Sequence, residues 1–251
     1  MTGREDDVLA RAAVAALTGQ LALAPKPGLP DPRDLAAHVT RRDHCGMRWS
    51  AKALTPGLAA MAAAARRTGE PSPRLRAELG AIGRCTEHSV GLAGGGHRGA
   101  LWTLGLLVAA AALDPRARGS TVSAKYGAAG ARGEARAGFP HVRRALDALA
   151  KARSAGAGEA EARLDALLTV MSTLQDTELL HTAGPLGLRH VQSGARGVLD
   201  AGGAATRAGA AALDALDADL HARAWSPRGS AGLLAGALFV DSLPLAPARA
   251  A

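Results

Sequence analysis

The sequence predicts an all-α fold, a single multi-helix domain with functional loops between the helices. Apolar residues recur at helical spacing along most of the 251 residues, and valine and isoleucine never alternate with polar residues as in a strand. Aromatic residues make up only 2% of the chain, so leucine, alanine and valine must form the core. We therefore expect one domain over residues 1–243 and a frayed tail over 244–251.

Helix boundaries follow from the apolar spacing and from the prolines that interrupt it. The first helix should end near Leu23, because four prolines between Pro25 and Pro32 forbid a helix and favour an extended loop. Pro73 stands where a helix can start, and Pro115 ends the apolar helix before it. The predicted helices cover 8–23, 50–67, 72–87, 100–113, 140–153, 159–180, 186–199, 204–223 and 230–242.

Charge and composition limit the possible partners. The net charge of +8 and a pI of about 10.6 favour an anionic partner, either nucleic acid or a phosphorylated small molecule. No block of lysine and arginine is present, which weighs against nucleic acid. Cys45 and Cys85 lack zinc spacing, which favours a reducing compartment. The acidic N-terminal segment has no signal-peptide character, and the longest apolar run is too short for a membrane span, so we expect a soluble cytoplasmic protein.

A glycine-rich segment, residues 94–99, directly precedes the strongly apolar helix. Successive backbone N–H groups in such a loop can point at an anion, and the helix N-terminus favours negative charge. The guanidinium of Arg98 can bind phosphate through two hydrogen bonds. We predict that Gly94, Gly95, Gly96 and Arg98 bind phosphate; the alternative is a flexible connector. His97 lies inside this motif.

Two other loops carry charged residues beside glycine or proline. Lys26 stands between two prolines, which stiffen the backbone and favour presentation of its ammonium to a ligand. Arg132 and Glu134 flank Gly133 in a Gly/Ala-rich stretch. The alternatives are a solvated lysine and a surface ion pair.

The predicted helix over 159–180 has an apolar face and an opposite stripe of small polar residues that includes Asp176. Glu178 would fall back toward the apolar side, where a carboxylate needs a partner or a metal. Together the two carboxylates could hold Mg²⁺. The alternative is a solvated helix face.

Six segments, taken in order, resemble the triphosphoribosyl-dephospho-CoA synthase family. That family carries the motifs PKPGLVD, GAH, GVNTH[KR]GA, GAR[GA]EA, DTN and SPGG, each at a comparable place along the chain. The matching segments here are Pro25–Asp31, Ala37–His38, Gly94–Ala100, Gly130–Pro140, Asp176–Gly184 and Ser226–Gly232. His97–Ala100 and Leu179–His181 are closer to the malonate decarboxylase branch than to the citrate lyase branch.

The resemblance implies a reaction and a set of site residues. In the family, the ribose 2′-OH of 3′-dephospho-CoA attacks the anomeric carbon of the ATP ribose, and adenine leaves. The product then passes to the prosthetic-group transferase of an acyl carrier protein subunit. A glycosyl transfer of this kind needs a carboxylate base, electrostatic stabilisation and cations around the triphosphate. The residues expected to supply these are Glu134, Asp176 and His97 for catalysis, Lys26, Gly94, Gly95, Gly96, Arg98, Arg132, Ser226 and Ser230 for phosphate, and Asp176 and Glu178 for Mg²⁺.

Several positions depart from the family pattern. Gly95 and Gly96 replace the Asn-Thr pair, Glu178 replaces the Asn of DTN, Arg228 replaces a glycine and Gly232 replaces an Asp. An arginine of the family is also lost at position 182, which is threonine here. Two alternatives therefore stay open: a divergent nucleotide-binding homologue with little activity, and a basic helical protein that binds nucleic acid.

Overall fold

The computed structural model describes residues 2–33, 41–93, 96–114 and 131–244, including their side chains except at 41–45 and 131–132. These residues form helices and no strand, which confirms the predicted fold class. The helices are α1 (Arg4–Leu21), α2 (Arg41–Lys52), α3 (Thr55–Thr68), α4 (Pro73–Leu92), α5 (Arg98–Leu113), α6 (Ala131–Arg136), α7 (Pro140–Ser154), α8 (Glu159–Met171), α9 (Thr177–Asp200), α10 (Arg207–Ala222) and α11 (Arg228–Ser242). Within these ranges, no helix combines the length and apolarity that a membrane crossing requires. Residues 245–251 of the predicted tail lie outside the described residues.

Two apolar helices, α5 and α11, form the centre of the molecule. Helix α11 packs against α1, α5, α7, α8 and α9, and its residues from Gly232 to Val240 are all buried. A Cβ atom added to Gly232 would lie 3.1 Å from the backbone N of Ala100, and one added to Gly236 would lie 2.8 Å from Cγ2 of Thr103. Small residues therefore let α11 approach α5 closely, and the two helices begin side by side.

The predicted helix over 159–180 is wrong, because the chain leaves helical geometry after Met171 and a new helix begins at Thr177. Asp176 caps the new helix: its carboxylate accepts the N–H groups of Glu178 and Leu179. The error arose because the apolar spacing of α8 continues past its end. Helix α9 itself contains a non-helical residue, Gly184.

Other boundaries agree with the sequence in part. Pro73 opens α4, as predicted, and Ser72 caps it, but α4 continues to Leu92 rather than ending near residue 87. The helix predicted from residue 50 begins instead at Thr55, after a break that follows α2. The sequence did not predict α2 or the short α6.

Candidate functional site

A cleft of about 570 Å³ lies where the first turns of α5, α9 and α11 meet the loop that follows α1. Predicted site residues from four separate segments line it: Lys26, Gly96, His97, Arg98, Glu134, Asp176 and Glu178. Ser226 and Ser230 do not line this cleft. Gly94, Gly95 and the side chain of Arg132 lie outside the described residues. The motifs that are distant in the chain thus converge on one concave surface.

The loop after α1 folds into a tight turn rather than the predicted extended loop. The N–H of Leu29 donates to the carbonyl of Lys26 at 3.0 Å, with Pro27 and Gly28 at the centre of the turn. Gly28 has φ of 64°, and a Cβ there would lie 2.2 Å from the carbonyl oxygen of Trp225. A turn of this kind requires a residue with a preset φ followed by one in a left-handed conformation. Pro27 and Gly28 are that pair.

This turn buries Lys26 almost completely, so the solvated alternative is wrong for this lysine. Its side chain is 1% exposed and lines the cleft, and Nζ lies 3.5 Å from the carbonyl oxygen of Leu21. A buried ammonium costs free energy unless polar groups surround it. The amine of Lys26 is therefore held at a fixed position in the cleft wall.

Three charged residues hold the turn in place. The buried carboxylate of Asp31 accepts the N–H of Lys26 at 3.0 Å and pairs with the guanidinium of Arg33 at 2.6 Å. The same guanidinium pairs with Asp217 of α10, also at 2.6 Å. Burial alone would raise the pKa of Asp31, but the Arg33 guanidinium and backbone N–H groups outweigh it and hold that pKa below its usual value. Arg33 and Asp217 are 184 residues apart, and neither was predicted from the sequence as a site residue.

His97 anchors the start of α5 from inside the molecule. Its side chain is buried, and Nε2 lies 2.7 Å from the carbonyl oxygen of Met47, so this nitrogen carries the proton and donates. Burial lowers the pKa of His97, although the hydrogen bond to Met47 opposes this. The imidazole is therefore neutral at neutral pH.

The first turn of α5 has no side-chain cap, and residues 96–100 all line the cleft. Uncapped N–H groups at a helix start, together with the helix dipole, attract anions. Arg98 is the first residue of this helix, but its side chain is 79% exposed and pairs with Glu87 of α4 at 3.2 Å. The anion-attracting feature is thus the backbone of α5, with Arg98 at the rim.

Asp176 lies beneath the cleft between two helix starts, where it is 3% exposed. Oδ1 accepts the N–H groups of Glu178 at 3.1 Å and Leu179 at 3.2 Å, and Oδ2 accepts the N–H of Ser230 at 3.3 Å. Burial raises the pKa of Asp176 above its usual value, even though these N–H groups favour the charged form. The carboxylate joins α9 to α11 and is not on the polar face of a continuous helix.

Glu178 and Arg228 form an ion pair at the mouth of the cleft. Nε of Arg228 lies 3.5 Å from Oε1 of Glu178, and both side chains are about half exposed. The sequence had indicated that Glu178 would fall on a buried apolar side. That prediction is wrong, because its side chain is about half exposed. A Cβ added to Gly96 would lie 4.0 Å from Nη1 of Arg228, so this guanidinium also reaches the uncapped start of α5.

Glu134 is held by the start of α7. Oε1 lies 2.6 Å from Nδ1 of His141, and Oε2 accepts the backbone N–H of the same residue at 3.2 Å. The two side chains are 11% and 13% exposed. Glu134 lines the cleft, so the contact with His141 fixes a carboxylate at its wall. His141 was not among the site residues predicted from the sequence.

The two carboxylates predicted to hold Mg²⁺ do not fit a metal ion well. The oxygens of Asp176 face backbone N–H groups of α9 and α11, and Glu178 faces Arg228. In the described part of the chain, no group of three or more metal-ligating side chains comes together. Mg²⁺ usually binds one or two carboxylates together with substrate phosphates and water. We therefore derive no catalytic step through a metal ion held by this pair.

Comparison with known proteins identifies the family that carries this cleft. The model of the family described as ATP:dephospho-CoA triphosphoribosyl transferase (CitG) matches residues 6–122 and 114–249. The chain belongs to the ATP:dephospho-CoA triphosphoribosyl transferase family. This confirms the family predicted from the motifs. No solved structure matches the chain.

Several bacterial relatives carry the same name, "Probable 2-(5''-triphosphoribosyl)-3'-dephosphocoenzyme-A synthase". The protein of Pseudomonas aeruginosa strain UCBPP-PA14 is 46% identical, over 95% of this chain and 91% of its own length. Those of Stutzerimonas stutzeri A1501 and Pseudomonas fluorescens Pf-5 are each 44% identical, over 94% of this chain and 91% of their own lengths. Membership of the triphosphoribosyl transferase family thus extends over nearly the whole chain.

Three departures from the motifs of the triphosphoribosyl transferase family have a structural explanation. Glu178 and Arg228 differ from the family pattern and contact each other, so the two changes form one new ion pair. Gly232, which replaces an Asp, lies where α11 approaches the start of α5 too closely for a side chain to enter without a shift. Nothing in the structure explains the threonine at position 182.

Proposed function

We propose that this chain transfers the triphosphoribosyl group of ATP to 3′-dephospho-CoA and releases adenine. The supporting observation is the convergence of a buried lysine, a fixed carboxylate and an uncapped helix start on one cleft. In this reaction the 2′ oxygen of dephospho-CoA forms a bond to the anomeric carbon of the ATP ribose. The bond from that carbon to adenine breaks, through a centre with oxocarbenium character.

Glu134 is the proposed base that takes the proton from the attacking hydroxyl. It lines the cleft, and two N–H contacts from His141 hold its carboxylate in one orientation. A base must lie within hydrogen-bond reach of the proton that it removes, so a fixed carboxylate at the wall is suited to this role. The adenine leaving group accepts a proton in exchange, which balances the reaction.

The phosphates of ATP are proposed to bind at the start of α5. The uncapped N–H groups there, the buried ammonium of Lys26 and the guanidinium of Arg228 all face the same cleft. Arg98 and the backbone of Gly96 add donors at the rim. Mg²⁺ would enter with ATP as its complex, because the phosphates supply the oxygen ligands that it prefers.

Asp176 and His97 support this arrangement in different ways. Asp176 is proposed to place negative charge beneath the sugar as positive charge develops on the anomeric carbon. His97, neutral and bonded to Met47, is proposed to fix the start of α5 and to present one face of its ring to the cleft. Ser230 contributes through its backbone N–H to Asp176, and no contact supports a phosphate-binding role for Ser226.

Product analysis tests the proposed function. The full-length protein is incubated with ATP, 3′-dephospho-CoA and Mg²⁺, and free adenine and the coenzyme product are measured by mass spectrometry. We expect one adenine for each product molecule, whose mass is that of the two substrates less adenine. Nucleotide binding without adenine would instead support a divergent homologue, which the changed residues Glu178 and Arg228 favour as a second candidate. Salt-dependent DNA binding without nucleotide binding would support a nucleic-acid-binding protein.

We further propose that the product serves malonate decarboxylase. The segments His97–Ala100 and Leu179–His181 support this branch over citrate lyase. A prosthetic-group transferase acting on an acyl carrier protein subunit would then be the next protein in the sequence of reactions. Genes for malonate decarboxylase subunits beside the gene for this chain would support the assignment, and genes for citrate lyase subunits would contradict it.

A further inference from the structure

The turn between α6 and α7 has an unusual backbone that brings His141 back onto Glu134. Gly138 has φ of 79° and Phe139 has φ of 52°, so two consecutive residues are left-handed. Glycine adopts this conformation freely, but a phenylalanine pays a conformational cost there. Such strain persists only where surrounding contacts impose it, and it is concentrated at functional sites.

Several contacts impose this turn. The Phe139 ring is 1% exposed within the core, and the Phe139 N–H donates to the carbonyl of Glu134 at 2.6 Å. Arg143 of α7 donates to the carbonyl of Gly138. The turn is therefore fixed from both sides, and it carries the first residues of α7 directly to the Glu134 side chain.

The contact between the two side chains is directional. Nδ1 of His141 and the backbone N–H of the same residue address the two different oxygens of Glu134, at 2.6 Å and 3.2 Å. With the proton on Nδ1, His141 donates to one carboxylate oxygen while its backbone donates to the other. Nε2 of His141 is buried and has no hydrogen-bond partner among the described residues. The polar contact that the imidazole makes is thus the one to Glu134.

We propose that His141 is the positioning residue that orients Glu134 for proton removal. His141 does not line the cleft, so it acts through the carboxylate and not on the substrate. This inference rests on the proposed function, in which Glu134 is the base. A carboxylate held at both oxygens keeps one geometry toward the attacking hydroxyl, and a misplacement of about 1 Å can cost on the order of a hundredfold in rate.

Three substitutions separate positioning from space filling. H141A removes the side-chain donor, H141N returns an N–H at the place of Nδ1, and H141Q places its amide nearer to the place of Nε2. We expect H141A and H141Q to lower kcat for adenine release on the order of tenfold to a hundredfold, with little change in the KM for ATP. H141N should recover most of kcat. H190N is the matched control, because His190 pairs with Asp219 at the same distance of 2.6 Å outside the cleft.

The imidazole ¹⁵N signals of His141 give a readout that does not depend on activity. We expect a proton on Nδ1 in the wild type and a changed signal in E134Q. Suppose that the wild type is active. The positioning role alone would then be overturned if H141A had the kcat of the wild type, or if the kcat of H141N were as low as that of H141A. A wild type that releases no adenine would overturn the proposed function and this role with it, even if the ¹⁵N spectrum shows the Glu134 contact.

Discussion

Ser230 donates its backbone N–H to Oδ2 of Asp176 at 3.3 Å, which joins the starts of two helices that are distant in the chain. The other oxygen of Asp176 caps α9. One buried carboxylate thus sets how α9 and α11 meet at the floor of the cleft, with Gly229 packed against it. Because Asp176 fixes the starts of α9 and α11 relative to each other, it also sets the position of Arg228 relative to Glu178.

Replacing Asp176 with asparagine should reduce both the rate of catalysis and the stability of the fold. Asparagine keeps one oxygen for the cap of α9, but its NH₂ group cannot accept the Ser230 N–H. We expect a loss of about 1–3 kcal/mol in the free energy of unfolding, because a buried donor is left unpaired. The rate of adenine release should fall at least about tenfold, since negative charge beneath the sugar is lost.

D165N is the matched control for D176N. Asp165 is also a partly buried carboxylate whose pKa is raised by burial, and it accepts the N–H of Ala204 at 2.7 Å, away from the cleft. We expect D165N to lose stability without losing kcat. Equal kcat values for D176N and D165N would show that Asp176 only caps the helices.

His97 should make the folded state less stable in mild acid. Its folded-state pKa is lowered, so the unfolded chain binds a proton more readily than the folded chain. The stabilisation is therefore complete above the unfolded value of about 6.5 and is lost as pH falls from there toward the lowered folded value. Each pKa unit of difference corresponds to about 1.4 kcal/mol.

Denaturant unfolding of the wild type and H97Q checks this effect. It is measured at about pH 7.5 and about pH 5, which lie on either side of the unperturbed histidine pKa. Glutamine keeps a donor near the carbonyl of Met47 but does not titrate. We expect the loss of stability on acidification to be smaller in H97Q than in the wild type. An equal loss in both proteins would contradict the assignment to His97.

Lys26 should contribute to nucleotide binding. K26M keeps the length of the buried side chain and removes its charge, so folding should be preserved. We expect the KM for ATP to rise about tenfold or more, because hydrogen bonds to charged groups contribute about 1.5–3 kcal/mol. K151M is the control, since Lys151 is exposed on α7. An unchanged KM in K26M would place the phosphates elsewhere.

Substitutions of Arg228 and Glu178 should change the KM for ATP in opposite directions. R228A removes a cation beside the start of α5 and should raise the KM for ATP. E178Q leaves that cation without its carboxylate partner and should lower the KM for ATP. Because both side chains are about half exposed, their mutual coupling in stability should stay below about 1 kcal/mol.

The Mg²⁺ concentration needed for half-maximal rate separates this pair from a metal site. If Glu178 held the metal ion, E178Q would require markedly more Mg²⁺. We expect no such increase, because Glu178 faces Arg228 in the cleft.

The sequence predicted the helical fold and most of the charged residues that line the cleft, because these depend on local pattern. The motif around Lys26 contains the residues that favour a turn, since proline and glycine occupy its two central positions. The glycine segment before α5 likewise marks an open helix start. The helix start was predicted from neighbouring residues, whereas the turn was not, because the four prolines were interpreted as an extended loop.

Features that depend on distant contacts could not be predicted in this way. Leu174 continues the apolar spacing of α8 beyond its end, so Asp176 was placed inside a helix predicted to end at residue 180. An Asp followed two residues later by Glu is a helix-start signal that competes with this spacing. The contact of His141 with Glu134 depends on a left-handed Phe139, which residue propensity disfavours.

Single-turnover adenine release by wild type and E134Q, with ATP binding measured on the same samples, tests the central claim most directly. Glutamine keeps the shape of Glu134 but cannot take a proton from the hydroxyl of dephospho-CoA. We expect E134Q to bind ATP as the wild type does. Its rate of adenine release should be about one hundredth of the wild-type rate or lower. Adenine release by E134Q at the wild-type rate would contradict the claim that Glu134 is the base in this cleft.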